Sequence, residues 1–167
     1  LYVGISKYPP KAARFAYNYL RERDTPCLLY QGRYNLLNRE LEEEKIIEEA
    51  KEAGAGFVAF SPLAQGLLSD RYLSGEVEKG SRMALGHFLR RTALTEEMLV
   101  RLNRLADIAR ERGQSLAEMA LAWLLKDEKV TSVIVGASSV QQLQMNLNAL
   151  QNTSFMEEEL NKIEAVL

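Results

Sequence analysis

Cysteine is nearly absent from this chain of 167 residues: Cys27 stands alone, which excludes an intrachain disulfide. A single thiol suits a reducing cytoplasm, and Cys27 is expected to be a buried strand residue. Histidine is as scarce, with His87 the sole example. No cysteine pair, histidine pair or carboxylate spacing reads as a metal site. No apolar run approaches the roughly 20 residues needed to cross a bilayer, and no secretory leader is visible. A net charge of −2 gives no basic surplus, so neither nucleic acid nor an anionic membrane is an expected partner. The two glycine-rich phosphate signatures, the Walker loop and G-x-G-x-x-G, are missing.

What is present is an apolar fraction of 47%, enough to bury a sizeable core. Four short runs, Tyr2–Ser6, Cys27–Gln31, Gly56–Ser61 and Ser132–Ala137, are apolar at successive positions. Such runs suit strands buried on both faces, as in a parallel sheet. Helical spacing separates them. Pro9 and Pro10 open a helix with Ala12, Phe15, Ala16, Tyr19 and Leu20 on its apolar face. Asn38 is placed to cap a helix burying Ile46, Ile47, Ala50 and Ala53, with Gly54 ending it. A helix carrying Met98, Leu102, Leu105 and Ala109 stops near Gly113. Another starts at the capping box Ser115–Glu118 and is apolar almost all round. Helices over 139–150 and from the capping box Ser154–Glu157 complete the order. The stretch Ser69–Thr92 is polar and long for a loop, which marks it as functional or mobile.

Alternating strands and helices with short links call for right-handed β/α crossovers. Four parallel strands make a small open sheet or half of a β/α barrel, whose full form takes about 250 residues. A half barrel leaves edges open at Tyr2–Ser6 and Ser132–Ala137. The chain opens on a strand, without Met, and is expected to be part of a longer protein.

The strand exits are small or amide-bearing: Ser6 and Lys7, Gln31, Ser61 to Gly66, and Gly136 to Ser139. In parallel β/α folds these exits share the ligand-binding face. They carry no strong acid or base, which reads as a binding surface. Ser139 to Gln142 opens a helix, either as a simple capping box or as a phosphate seat. Gln31 at a strand end serves equally to satisfy neighbouring backbone groups, Phe60 is more often core than a stacking platform, Arg71 and Arg82 in the long loop read first as solvated charges, and His87 lies in the same loop.

Together, Gly4-Ile-Ser-Lys-Tyr8, Gln31-Gly-Arg-Tyr-Asn35, Phe60-Ser-Pro-Leu-Ala-Gln-Gly-Leu-Leu68 and Val135-Gly-Ala-Ser-Ser-Val-Gln-Gln-Leu-Gln-Met-Asn146 resemble the aldo-keto reductases. The nearest branch holds bacterial glyceraldehyde-3-phosphate or methylglyoxal-type reductases and potassium-channel β subunits. The resemblance spans the whole chain. It implies a (β/α)8 barrel, of which residues 1–167 supply strands five to eight, and an NADP(H) cofactor. It implies that Ser6, with Lys7 beside it, and Gln31 hold the nicotinamide carboxamide, and that Phe60 stacks on the ring. Ser61, Pro62, Leu63, Ala64, Gly66 and Arg71 would wrap the pyrophosphate. Arg82 matches an arginine of the same loop, and Gly136, Ser138, Gln142 and Asn146 match the adenosine end.

Three departures stand out. Lys7 replaces a common asparagine, Met145 replaces a common glutamate, and no basic residue follows the eighth strand. The family's Asp, Tyr, Lys and His tetrad belongs to the first half of the barrel, so no catalytic residue is assigned. The resemblance implies reduction of a small carbonyl substrate. The alternatives are a cofactor-sensing subunit with little turnover, and a half barrel completed by an N-terminal half or a second copy.

Overall fold

The computed structural model describes residues 2–86 and 89–167; His87 lies outside them. The chain divides into two compact units, 1–62 with 127–135, and 63–126 with 136–167.

The first unit contains β1 (Val3–Ser6), α1 (Pro10–Arg21), β2 (Cys27–Arg33), α2 (Glu40–Glu43), α3 (Ile46–Glu52), β3 (Gly56–Phe60) and β4 (Ser132–Val133). The strands form one parallel sheet in the order β1-β2-β3-β4. Register pairs Ser6 with Gln31, Gln31 with Val58, and Arg33 with Phe60. Tyr30, Gly32, Phe57 and Ala59 share the packed face, with the Tyr30 and Phe57 rings stacked 6.0 Å apart. Gly32 is where α2 closes on the sheet: a Cβ there would lie 2.2 Å from Leu41 Cδ1. The opposite face, with Leu29, Gln31, Val58 and Phe60, is only half-buried. Burial on both faces was expected, but four strands supply only part of the wall that would enclose the inner side. Cys27 is buried, as expected.

Several boundaries differ from the sequence reading. β4 covers two residues rather than six, although the backbone N–H groups of Thr131 and Ile134 extend the ladder to Phe57 and Ala59. The helix expected after Asn38 is broken in two at Lys45, which takes a left-handed φ of 60°. Asn38 caps nothing; its backbone bonds reciprocally with Asn35 and its side chain accepts from Arg33. Gly54 does end α3, at φ 79°, with Ala55 N–H closing back onto Ala50. On α1 the packed face is Ala13 and Tyr17, whereas Phe15 and Tyr19 are exposed and stacked on each other. The helix period was right and its phase shifted: Ala12, Ala16 and Leu20 are half-buried, while the fully packed positions are Ala13 and Tyr17.

The second unit contains α4 (Arg82–Leu85), α5 (Glu96–Glu111), α6 (Leu116–Leu124), α7 (Val140–Asn148) and α8 (Glu157–Glu164). α6 is its core, with Leu116 and every residue from Met119 to Leu124 buried. Each such Leu or Met contributes about 1.5–3 kcal/mol by leaving water. The Ser115–Glu118 capping box forms as expected. The one expected at Ser154 does not: α8 starts at Glu157, and Glu159 accepts from the Met156 N–H. The Ser154 carbonyl instead accepts from the buried Arg112. The expected loop over 69–92 holds short turns at 70–72 and 91–93 as well as α4, with Tyr72, Ser81, Met83 and Leu89 buried.

Candidate functional site

In the first unit, parallel register brings β1 and β2 to the same level. The Ser6 hydroxyl donates to Gln31 Oε1 at 3.2 Å. An alcohol and a primary amide thereby sit together at the strand ends, a set of neutral donors and acceptors complementary to another amide. Lys7 follows at φ 60° with its N–H on the Gln31 carbonyl, and its side chain is exposed. Phe60 is half-buried one step beyond, at the end of β3. Ser61 then turns left-handed at φ 53°. A non-glycine residue there costs on the order of 1 kcal/mol, so something must hold it. Asn35 does: it is 2% exposed, and its Nδ2 donates to the Ser61 carbonyl at 2.9 Å while its Oδ1 accepts from Leu37. Asn35 was visible only as the end of a motif and received no role. Pro62 closes this unit, buried.

The phenols near these strand ends are committed elsewhere. Tyr30 donates to the Tyr8 carbonyl at 2.7 Å, and burial raises its pKa. Tyr34 donates to Glu42, and burial followed by the Glu42 charge raises it too. Glu42 is itself held below the usual carboxylate range: burial would raise it, but the bond and charge of Arg39 outweigh that, helped by Tyr34 and Lys129. Neither phenol is thereby prepared to release a proton.

In the second unit, 63–68 forms a tight turn in which Gly66 and Leu68 N–H groups return to the Leu63 carbonyl. Ala64, Gln65 and Gly66 take φ of 48°, 62° and 96° in succession. Strained backbone of this kind gathers at ligand-gripping turns. Ser69 pins it by donating to the Gly66 carbonyl at 2.6 Å. Arg71 is exposed and pairs with Glu78 at 3.4 Å. Arg82 donates to Gln65 Oε1 and lies beside Gly136, where a Cβ would stand 3.8 Å from the guanidinium. Sequence reasoning passed over Gln65; no pattern in the chain pairs it with Arg82.

At the start of α7, Ser139 accepts from the Gln142 N–H at 3.1 Å. Gln142 Oε1 accepts from the Ser138 N–H at 2.7 Å and its hydroxyl at 3.0 Å. The capping reading is thus the one the geometry shows, with Ser138 and Gln142 tied together beside it. One turn on, Asn146 is 8% exposed and its Nδ2 finds no acceptor among the described residues. A buried donor left unpaired costs about 1–3 kcal/mol, unless an incoming acceptor satisfies it. The described residues hold no group of three His, Cys, Asp or Glu side chains fit for a metal. No described helix is long and apolar enough to cross a membrane.

The family model for the "Aldo/keto reductase family" matches residues 1–167. An L-glyceraldehyde 3-phosphate reductase from Escherichia coli O157:H7 is 46% identical over 98% of this chain and 48% of its own length. A protein of Oryza sativa subsp. japonica, "Probable voltage-gated potassium channel subunit beta", is 33% identical over 99% of the chain and 52% of its own length. The crystal structure of a thermostable aldo-keto reductase in complex with the inhibitor epalrestat superposes with a TM-score of 0.71 at 23% identity, over 99% of this chain and 48% of that one. That match speaks for the fold alone. Its coverage makes the four-stranded parallel sheet and its helices half of a barrel, and the chain spans about half the length of the curated relatives it matches. The chain belongs to the aldo/keto reductase family.

Proposed function

We propose that the intact protein is an NADP(H)-dependent reductase of small aldehydes and ketones, of the glyceraldehyde 3-phosphate or methylglyoxal type. This segment contributes most of the cofactor-holding residues. The observation that carries the reading is the Ser6–Gln31 pair, an alcohol and an amide joined at the strand ends of a family barrel. The residues present fit the group. Ser6 and Gln31 suit a carboxamide, and the unpaired Asn146 amide awaits an acceptor of the adenosine end. In the first unit Phe60 offers a ring face that would suit the nicotinamide; in the second, the turn over 63–66 with Arg71 and Arg82 would suit a diphosphate, and Ser138 and Gln142 a 2′-phosphate.

When bound, NADPH supplies the hydride. The side chains of this segment do the orienting: Ser6 and Gln31 fix which ring face is presented, so the protein sets geometry rather than driving force. The proton for the carbonyl oxygen would come from the tyrosine of the family tetrad, which belongs to the first half of the barrel; Tyr30 and Tyr34, near the strand ends, are tied to Tyr8 and Glu42. Residues 1–167 alone are therefore inactive. A reducing cytoplasm suits the lone buried Cys27.

Turnover of NADPH by the intact protein on a panel of short aldehydes tests the reading, and measurable oxidation is the expected result. Tight cofactor retention without turnover would favour instead a sensing subunit, a reading supported by the 33% identical channel-subunit relative. The open edges of β1 and β4 support completion of the sheet by an N-terminal half or a second copy.

A further inference from the structure

We propose that Gln65 is a positioning residue for Arg82, a clasp that fixes the guanidinium at the phosphate-facing turn before cofactor arrives. The inference rests on the cofactor reading above. Arg82 belongs to the short helix α4, whose own hold on the unit is firm: Ser81 is buried and caps it by accepting from Ala84 N–H, and Met83 is buried. The Arg82 side chain, by contrast, is exposed, and a long exposed arginine samples many rotamers. One contact restricts it: Nη1 donates to Gln65 Oε1, while Nη2 lies near Gly136, where even a Cβ would stand 3.8 Å away.

The geometry of Gln65 has a cost. It occupies the left-handed region at φ 62° between Ala64 at 48° and Gly66 at 96°. Its amide reaches Arg82 from that strained turn, which is itself locked by the Leu63, Gly66 and Ser69 bonds. A guanidinium has five N–H donors, and the clasp uses one. The remaining donors keep the planar fork available for two phosphate oxygens. Gln65 therefore aims the fork rather than competing for it, and the aiming is done before binding, when it saves ordering entropy. Gln65 touches no cofactor through its side chain in this account; it acts through Arg82.

The test is a double-variant cycle on the intact protein with Gln65→Met and Arg82→Ala, read by NADPH release in stopped-flow fluorescence. Met preserves side-chain length and the same backbone demand while removing the acceptor. Loss of one such bond should speed NADPH release about fivefold in Gln65→Met. The same change should have no effect in an Arg82→Ala background. Affinity for 2′,5′-ADP, which lacks the diphosphate, should be unmoved by Gln65→Met, whereas a general loosening of the turn would weaken both ligands. Wild-type release in Gln65→Met, or equal acceleration in both backgrounds, overturns the clasp and leaves the cofactor reading standing. Failure of the wild-type protein to bind NADPH overturns both. Should Gln65→Met not fold, Arg82→Lys with and without Gln65→Asn gives the same cycle, since lysine keeps the charge but not the fork.

Discussion

Asn35 decides whether Ser61 can hold its left-handed turn, because a single buried amide supplies both the grip on the Ser61 carbonyl and the acceptor for Leu37. Asn35→Ala should lower stability by about 1–3 kcal/mol, since the half-buried Ser61 carbonyl and Leu37 N–H both lose the Asn35 amide. It should also weaken NADPH binding, which urea denaturation and nucleotide titration would show side by side. Normal affinity in a destabilised variant would confine Asn35 to folding. The residue scale is also where sequence reading succeeded unevenly. Ser6 and Gln31 were legible because each stands at a strand exit within a motif, and register then joined them. Asn35 was not, because a polar residue three positions past a strand gives no sign of burial until the turn it serves is seen. Gln65 and Arg82 are 17 residues apart, and no local pattern encodes their meeting.

Elements were legible in type and less so in extent. All four strands lie where apolar runs placed them, since β-branched and aromatic residues suit a pleated surface. β4 shrank to two residues because Gly136 and the serines after it belong to the exit rather than the ladder. The break at Lys45 had no glycine or proline to announce it. Gly32 in β2 reads as a weak strand residue, yet it marks the place where Leu41 of α2 approaches the sheet. Gly32→Ala should therefore destabilise by about 1–3 kcal/mol through overpacking, although alanine has no conformational objection to a strand. A thermal melt would show it. An unchanged melting temperature would mean that α2 moves aside freely.

At the scale of the whole molecule, the match over half of each relative gives the open edges their meaning. Tyr2 is 81% exposed beside the open edge of β1, and on α1 Phe15 and Tyr19 are exposed and stacked on each other. Residues 1–167 expressed alone should therefore self-associate, and light scattering at low concentration should give at least twice the monomer mass. A well-dispersed monomer would count against completion by a second copy. The central claim concerns the cofactor: these residues hold NADP(H), and the chemistry of proton transfer lies elsewhere. Its most direct test is calorimetric titration of the intact protein with NADPH, with Gln31→Ala and Asn146→Ala alongside. The account predicts saturable binding that each substitution weakens about tenfold, near the upper range for one polar contact. Absence of binding, or binding that neither substitution disturbs, would contradict it.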